Sequence, residues 1–188
     1  MTNEDLIQGC IKQEHEAQKE LYKLFYTELM GFCMRMSCDY DEAVSLFQDG
    51  FIRIYKDIRT EKINTSLAKW TKLKMVNNTV ELLRKNIQQH VISSTGRGTE
   101  QSNTELSDFT FVEQLSEEQL LKALQKLPVM YRILVNLTYI DTLPAQEIAK
   151  LVDMSEGTLF SNTSKAEFSL KNIIAQYYFK PQNEPTAS

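Results

Sequence analysis

Apolar residues recur three and four positions apart along most of this chain, the period of helices that bury one face. Leu6, Ile7 and Ile11 mark a short first helix. Leu21, Leu24, Phe25, Leu29 and Phe32 set the stripe of a second, which Met30, Cys33, Met34 and Met36 prolong. The run Cys38-Asp39-Tyr40-Asp41 breaks that pattern and offers Asp39 or Asp41 as the cap of a third helix, from 42 to about 58. Val44, Phe47, Phe51, Ile54, Tyr55 and Ile58 are its apolar side. After a polar connection over 60–66, Leu67, Trp70, Leu73, Val76, Val80 and Leu83 predict a fourth helix.

Periodicity then lapses. From 87 to about 108 the chain holds Gly96, Gly98 and many Ser, Thr, Asn and Gln, a flexible-linker composition that sets a domain boundary. The expected organisation is all-α: a helical domain over 1–86, a linker over 87–115, a second helical domain over 116–180 and a tail over 181–188. In the second domain Pro144 suits a first helical turn, Ile148, Ala149 and Leu151 give that helix an apolar side, and Ser155 can N-cap another helix with Glu156 in its first turn. The joint Val152-Asp153-Met154-Ser155 is short enough for a helix-turn-helix, whose second helix can enter the DNA major groove.

Composition narrows the class. With 188 residues and 42% hydrophobic content the chain can build folded cores. It lacks an apolar run of the roughly eighteen residues a membrane span needs, and MTNEDLIQGC is acidic and polar rather than basic and then apolar, so a cytoplasmic protein without membrane insertion is expected. Cys10, Cys33 and Cys38 show no CxxC spacing, and His15 and His90 stand apart, which argues for reduced thiols rather than a metal site. No GxSxG, HExxH, GxGxxG or GxxxxGK[ST] segment occurs, so no catalytic residue, enzyme activity or cofactor is expected. The net charge of −4 hides a local field, since residues 53–85 carry nine basic side chains against three acidic ones.

Two stretches carry a family resemblance. LQKLPVMYRILVNLTYIDTLPAQEIAKLVDMSEGT, with Leu127-Pro128, Tyr131-Arg132 and Ser155-Glu156-Gly157-Thr158 in order, closely resembles the C-terminal domain of extracytoplasmic-function sigma factors. LYKLFYTELMGFCMRM, then QDGFIRIYKDI, then a tryptophan helix ending MVNNTVELLRKN, is similar to the N-terminal sigma domain of the short members. The resemblance implies a region 2-like bundle and a region 4-like helix-turn-helix. It also implies RNA polymerase core and promoter DNA as partners, with an anti-sigma factor as a further one.

By that resemblance the first domain grips the polymerase clamp and captures the melted minus-ten strand, while the second sits on the flap and reads the minus-thirty-five element. Lys69, Lys72, Lys74, Asn77, Asn78, Arg84 and Lys85 are the candidates for single-stranded DNA, where phosphate attraction and base stacking combine. Trp70 beside them is read as core. Glu42, Gln48 and Asp49 are the polymerase candidates, with Ser45 where the family usually has an acid. In the helix-turn-helix the DNA candidates are Ser155, Thr158, Ser161, Asn162, Ser164 and Lys165.

The second of those helices departs from its family. LFSNTSKAEFSLK lacks the usual cluster of arginines and lysines and carries Glu167 where a basic residue is common. Leu159, Ala166, Leu170 and Ile173 are its expected inward side. Phe160 and Phe168 share one face with Ser164, either turned outward or folded into a rotated core. The function that the resemblance implies is that of an RNA polymerase sigma factor that directs promoter recognition. The alternative is a sigma-like regulator that binds polymerase or another protein and has lost most upstream-element reading.

Overall fold

Capping side chains fix where most of the helices begin. The computed structural model describes residues 2–93 and 115–179. Thr2 and Asp5 exchange capping bonds at the start of α1 (Asn3–Ile11), which leads into α2 (His15–Met36). Asp39 accepts the Glu42 N–H at 2.8 Å and starts α3 (Tyr40–Asp57), two residues earlier than the apolar pattern indicates. Ser66 precedes α4 (Leu67–Ser93), whose last seven residues extend into the stretch that composition assigns to the linker. The rest of that linker, over 94–114, and the 181–188 tail lie outside the described residues.

The second half starts at Ser116, which caps α5 (Glu117–Gln125) with Gln119 in a reciprocal pair. Next comes α6 (Val129–Val135), which widens into a π turn over Asn136–Ile140, where the Asp141 N–H reaches back five residues to the Asn136 carbonyl at 2.8 Å. Two further helices, α7 (Ala145–Val152) and α8 (Glu156–Ile174), complete it, α8 ending in a second π turn over Ala175–Phe179. Among the described residues every regular element is helical.

Helices α1 to α4 pack around Leu21, Phe25, Leu29, Phe32, Phe47, Phe51, Ile54 and Val80. Burying each such large side chain contributes about 1.5–3 kcal/mol. An aromatic row of Tyr22, Tyr26, Phe47, Phe51 and Tyr55 zips α2 to α3, with neighbouring ring centroids 5.1–5.5 Å apart. Two stripe assignments are corrected by this packing. Leu24 is 58% exposed and Leu73 43% exposed, because each lies at the edge of its stripe, and Met75 fills the core position on α4 instead.

Ile133, Leu134, Leu137, Ile148, Ala149, Val152 and Leu159 from the second half join the same apolar core. Behind them a smaller core of Ala123, Leu124, Leu127, Val135, Ala166, Leu170 and Ile174 ties α5 and α6 to α8. The two halves therefore meet through a shared apolar face.

Candidate nucleic-acid and polymerase interface

The seven α4 candidates do not form one free face. Lys69, Asn77 and Lys85 are exposed, Lys85 pairing with Glu81 at 2.7 Å. Lys74 is held between Asp57 and Glu61 and lies 5.5 Å from the centre of the Trp70 ring. Burial pulls the ammonium pKa down, yet the bonds to those two carboxylates outweigh it and hold the group above its ordinary value. Asn78 is buried, and its amide nitrogen has no hydrogen-bond partner. Trp70 is 7% exposed and belongs to the core. Lys72 and Arg84 turn toward the second half: Lys72 Nζ lies 3.1 Å from Asp141, and Arg84 bonds the Leu151 carbonyl at 2.9 Å and Asp153 at 3.2 Å.

On α3 the polymerase candidates separate by direction. Gln48 and Asp49 face solvent beside Ile52, an aliphatic side chain left 52% exposed. Glu42 points the other way, accepting the Cys38 N–H at 2.6 Å and standing 3.9 Å from Arg132. Its carboxylate is the chief reason the neighbouring Cys38 thiol is pushed up to about 11, which keeps that exposed thiol protonated at neutral pH.

The helix-turn-helix is built as its sequence indicates. α7 ends at Asp153 in a left-handed conformation (φ 57°), and the Met154 N–H closes the turn on the Ala149 carbonyl. Ser155 Oγ accepts the Thr158 N–H at 3.1 Å and pairs with the Thr158 hydroxyl at 2.8 Å. These two DNA candidates thus also hold the start of α8. Replacing Ser155 by alanine is expected to lower stability by about 1 kcal/mol and by aspartate to restore it, read from urea unfolding. Unchanged stability in the alanine variant would free Ser155 from the capping role.

Along α8, Leu159, Thr163, Ala166, Leu170 and Ile174 face inward, with Ile174 rather than Ile173 the fully buried one. Asn162 is half-buried, its amide on Met154 Sδ, and the Ser164 hydroxyl folds back on the Phe160 carbonyl. Ser161 and Lys165 are exposed. Both rings of the aromatic strip are outward, Phe160 at 77% and Phe168 at 37% exposed. Glu167 accepts the Tyr139 hydroxyl and pairs with Lys171, each at 3.0 Å. The lysine, then the phenol, hold its carboxyl below the ordinary range against some burial. An apolar groove beside this pair is lined by Leu120, Leu124, Val135, Tyr139, Ile140 and Leu170.

Sequence reasoning does not find the junction role of two residues, although Arg132 stands in the Tyr131-Arg132 pair that carries the resemblance. Arg132 is 3% exposed and donates to the carbonyls of Met36, Gln125 and Leu127 at 3.0–3.2 Å. Asp141, its side chain 2% exposed, faces Arg35 at 3.4 Å and Lys72 at 3.1 Å. The only signal for either is a charge set inside or at the end of an otherwise apolar run. Cys10, Cys33 and Cys38 are free thiols. No group of His, Cys, Asp and Glu among the described residues could hold a metal ion, and no helix there is long and apolar enough to cross a membrane.

Comparison with known proteins agrees with this architecture. Residues 117–167 match the family described as Sigma-70, region 4. Over 184 residues the chain is 25% identical to the ECF RNA polymerase sigma factor SigW of Bacillus subtilis (strain 168), covering 91% of this chain and 98% of that protein. In fold it is similar to the sigma factor RpoE of Bartonella quintana, solved with the anti-sigma factor NepR, at a TM-score of 0.54 and 21% identity over 83% of this chain and 95% of that one. It is also similar in fold to CnrH, solved with the cytosolic domain of CnrY, at 0.50 and 12% identity over 92% and 96%. Residues 117–167 are thus a Sigma-70 region 4 match, set in a chain that is similar along nearly its whole length to a sigma factor of the extracytoplasmic-function type.

Proposed function

We propose that this sigma factor directs promoter recognition by gripping core RNA polymerase through the outward face of α3 and holding the melted minus-ten strand against α4. Its helix-turn-helix half sits on the polymerase flap, with the apolar groove between Leu120, Tyr139 and Leu170 as the seat for a flap helix. It works in the cytoplasm and performs no reaction of its own. An anti-sigma factor is a further partner, as RpoE and CnrH have partners in their solved complexes.

The observation that carries this reading is the solvent side of α3. Gln48, Asp49 and the water-exposed Ile52 make a mixed polar and apolar strip on the helix that bears the polymerase motif, which suits a protein contact better than solvent. Mixing the purified chain with core polymerase is expected to give comigration and promoter melting. Asp49→Arg with Ile52→Arg should weaken that binding about tenfold or more. Equal binding by the parent and this variant would remove the α3 assignment.

One observation favours the second reading, a regulator that no longer reads the upstream element. The outward face of α8 presents Phe160 and Phe168, with Lys165 as its cation, so little counterion release can accompany duplex binding.

A further inference from the structure

Two of the cations that α4 would offer to a DNA strand are occupied by acids from the other half of the chain. Lys72 Nζ lies 3.1 Å from Asp141, and Arg84 Nη2 lies 3.2 Å from Asp153 while Nη1 bonds the Leu151 carbonyl at the C-terminal end of α7. A carboxylate presents two acceptor oxygens to an ammonium or guanidinium much as a phosphate does. Asp141 and Asp153 therefore stand where backbone phosphates would stand on this face.

Asp141 is the fixed member of the pair. Its side chain is 2% exposed, whereas that of Asp153 is 84% exposed, so salt and water screen the second contact far more than the first. Three features hold Asp141 in place. The π turn over Asn136–Ile140 returns its N–H to the Asn136 carbonyl. Asn136 in turn accepts from Arg35 Nε at 3.2 Å and donates to the Arg35 carbonyl at 3.1 Å. Arg35 Nη2 then reaches Asp141 itself at 3.4 Å. An acid buried at a junction, facing two cations from the opposite half, is costly to leave unpaired, so this pairing holds the halves together.

We infer that the chain closes on itself through Asp141, and that this closed state is autoinhibitory because the second half and single-stranded DNA compete for the Lys72 and Arg84 face of α4. The inference rests on the proposed strand-capturing role of α4. Opening also uncovers apolar side chains such as Leu137, Ile148 and Val152, so it shifts a population rather than releasing the halves outright, and a partner that covers them favours the open form.

The test uses the full chain, with Asp141→Asn, Asp141→Arg and the swapped pair Arg35→Asp with Asp141→Arg. Small-angle scattering reads compaction, and a fluorescent oligothymidine reads strand binding at several salt concentrations. Both single variants are expected to stay helical, to expand, and to bind oligothymidine about three- to tenfold more tightly. Their log–log salt slope should steepen by up to about 1.4, for two added phosphate contacts. The swapped pair should return both readings toward the parent. If Asp141→Asn and Asp141→Arg keep their helical content together with the parent's radius and oligothymidine affinity, the latch does not exist. Expansion without a gain in strand binding would leave the junction a packing contact and overturn autoinhibition. Should the parent fail to comigrate with core polymerase while the variants still open and bind, the function proposed above fails and the latch stands.

Discussion

Arg132→Ala is expected to cost about 3–5 kcal/mol of folding stability. The guanidinium is 3% exposed and serves the last carbonyl of α2 at Met36, the last of α5 at Gln125, and that of Leu127 just beyond it. Helix C-termini leave carbonyls without intrahelical partners, and one planar guanidinium satisfies one at each of two helix ends together with the Leu127 carbonyl beyond the second. Burial pulls the Arg132 pKa down, with Glu42 at 3.9 Å acting against it, and the side chain stays a cation at any ordinary pH. Truncation strands those carbonyls and deprives Glu42 of a nearby positive charge. Arg132→Lys should recover only part of the loss, because a single ammonium cannot span three acceptors. Urea unfolding checks both, and a loss under about 1 kcal/mol for the alanine variant would show that water or neighbouring groups replace the guanidinium.

That residue marks the limit of what the chain discloses before it is folded. Ser155, Asp39 and Pro144 announce helix starts through chemistry local to a few residues, and the structure places helices at each. Leu159, Ala166 and Leu170 on the inward side of α8 follow from spacing alone, whereas Ile174 takes the buried place expected of Ile173. Leu24 and Leu73 mislead because hydrophobicity says that a residue can be buried, whereas burial needs a partner element on that side. The division of α4 is illegible for a related reason. Lys69 and Lys72 have the same chemistry, yet Lys72 faces Asp141, sixty-nine positions on, and Lys69 faces water. Contacts at that separation leave no periodic trace. The π turn that aims Asp141 is equally silent, since NLTYI reads as one more helical turn.

The outward aromatic strip of α8 leads to the second large effect. Duplex binding by the parent chain is expected to be weak, and Phe160→Arg with Ser164→Arg should create clear, salt-sensitive binding. Both positions are exposed and lie one turn apart on the same face, and neither side chain packs in the core. Asn162 and Glu167, the positions that sequence alone would choose for arginines, are poorer sites. Asn162 rests on Met154, and Glu167 holds Tyr139 and Lys171, so changing them disturbs packing along with charge. Each new phosphate contact steepens the log–log salt slope by roughly 0.9, so two contacts make affinity fall about tenfold between 50 and 200 mM salt. Fluorescence anisotropy of a labelled duplex with the full chain reads this directly. A flat salt response in the double variant would show that α8 does not lie against duplex DNA. Tight, specific duplex binding by the unaltered chain at physiological salt would instead show that Phe160, Ser161 and Ser164 read the major groove through apolar and neutral contacts, which are available at a thymine methyl and at base edges.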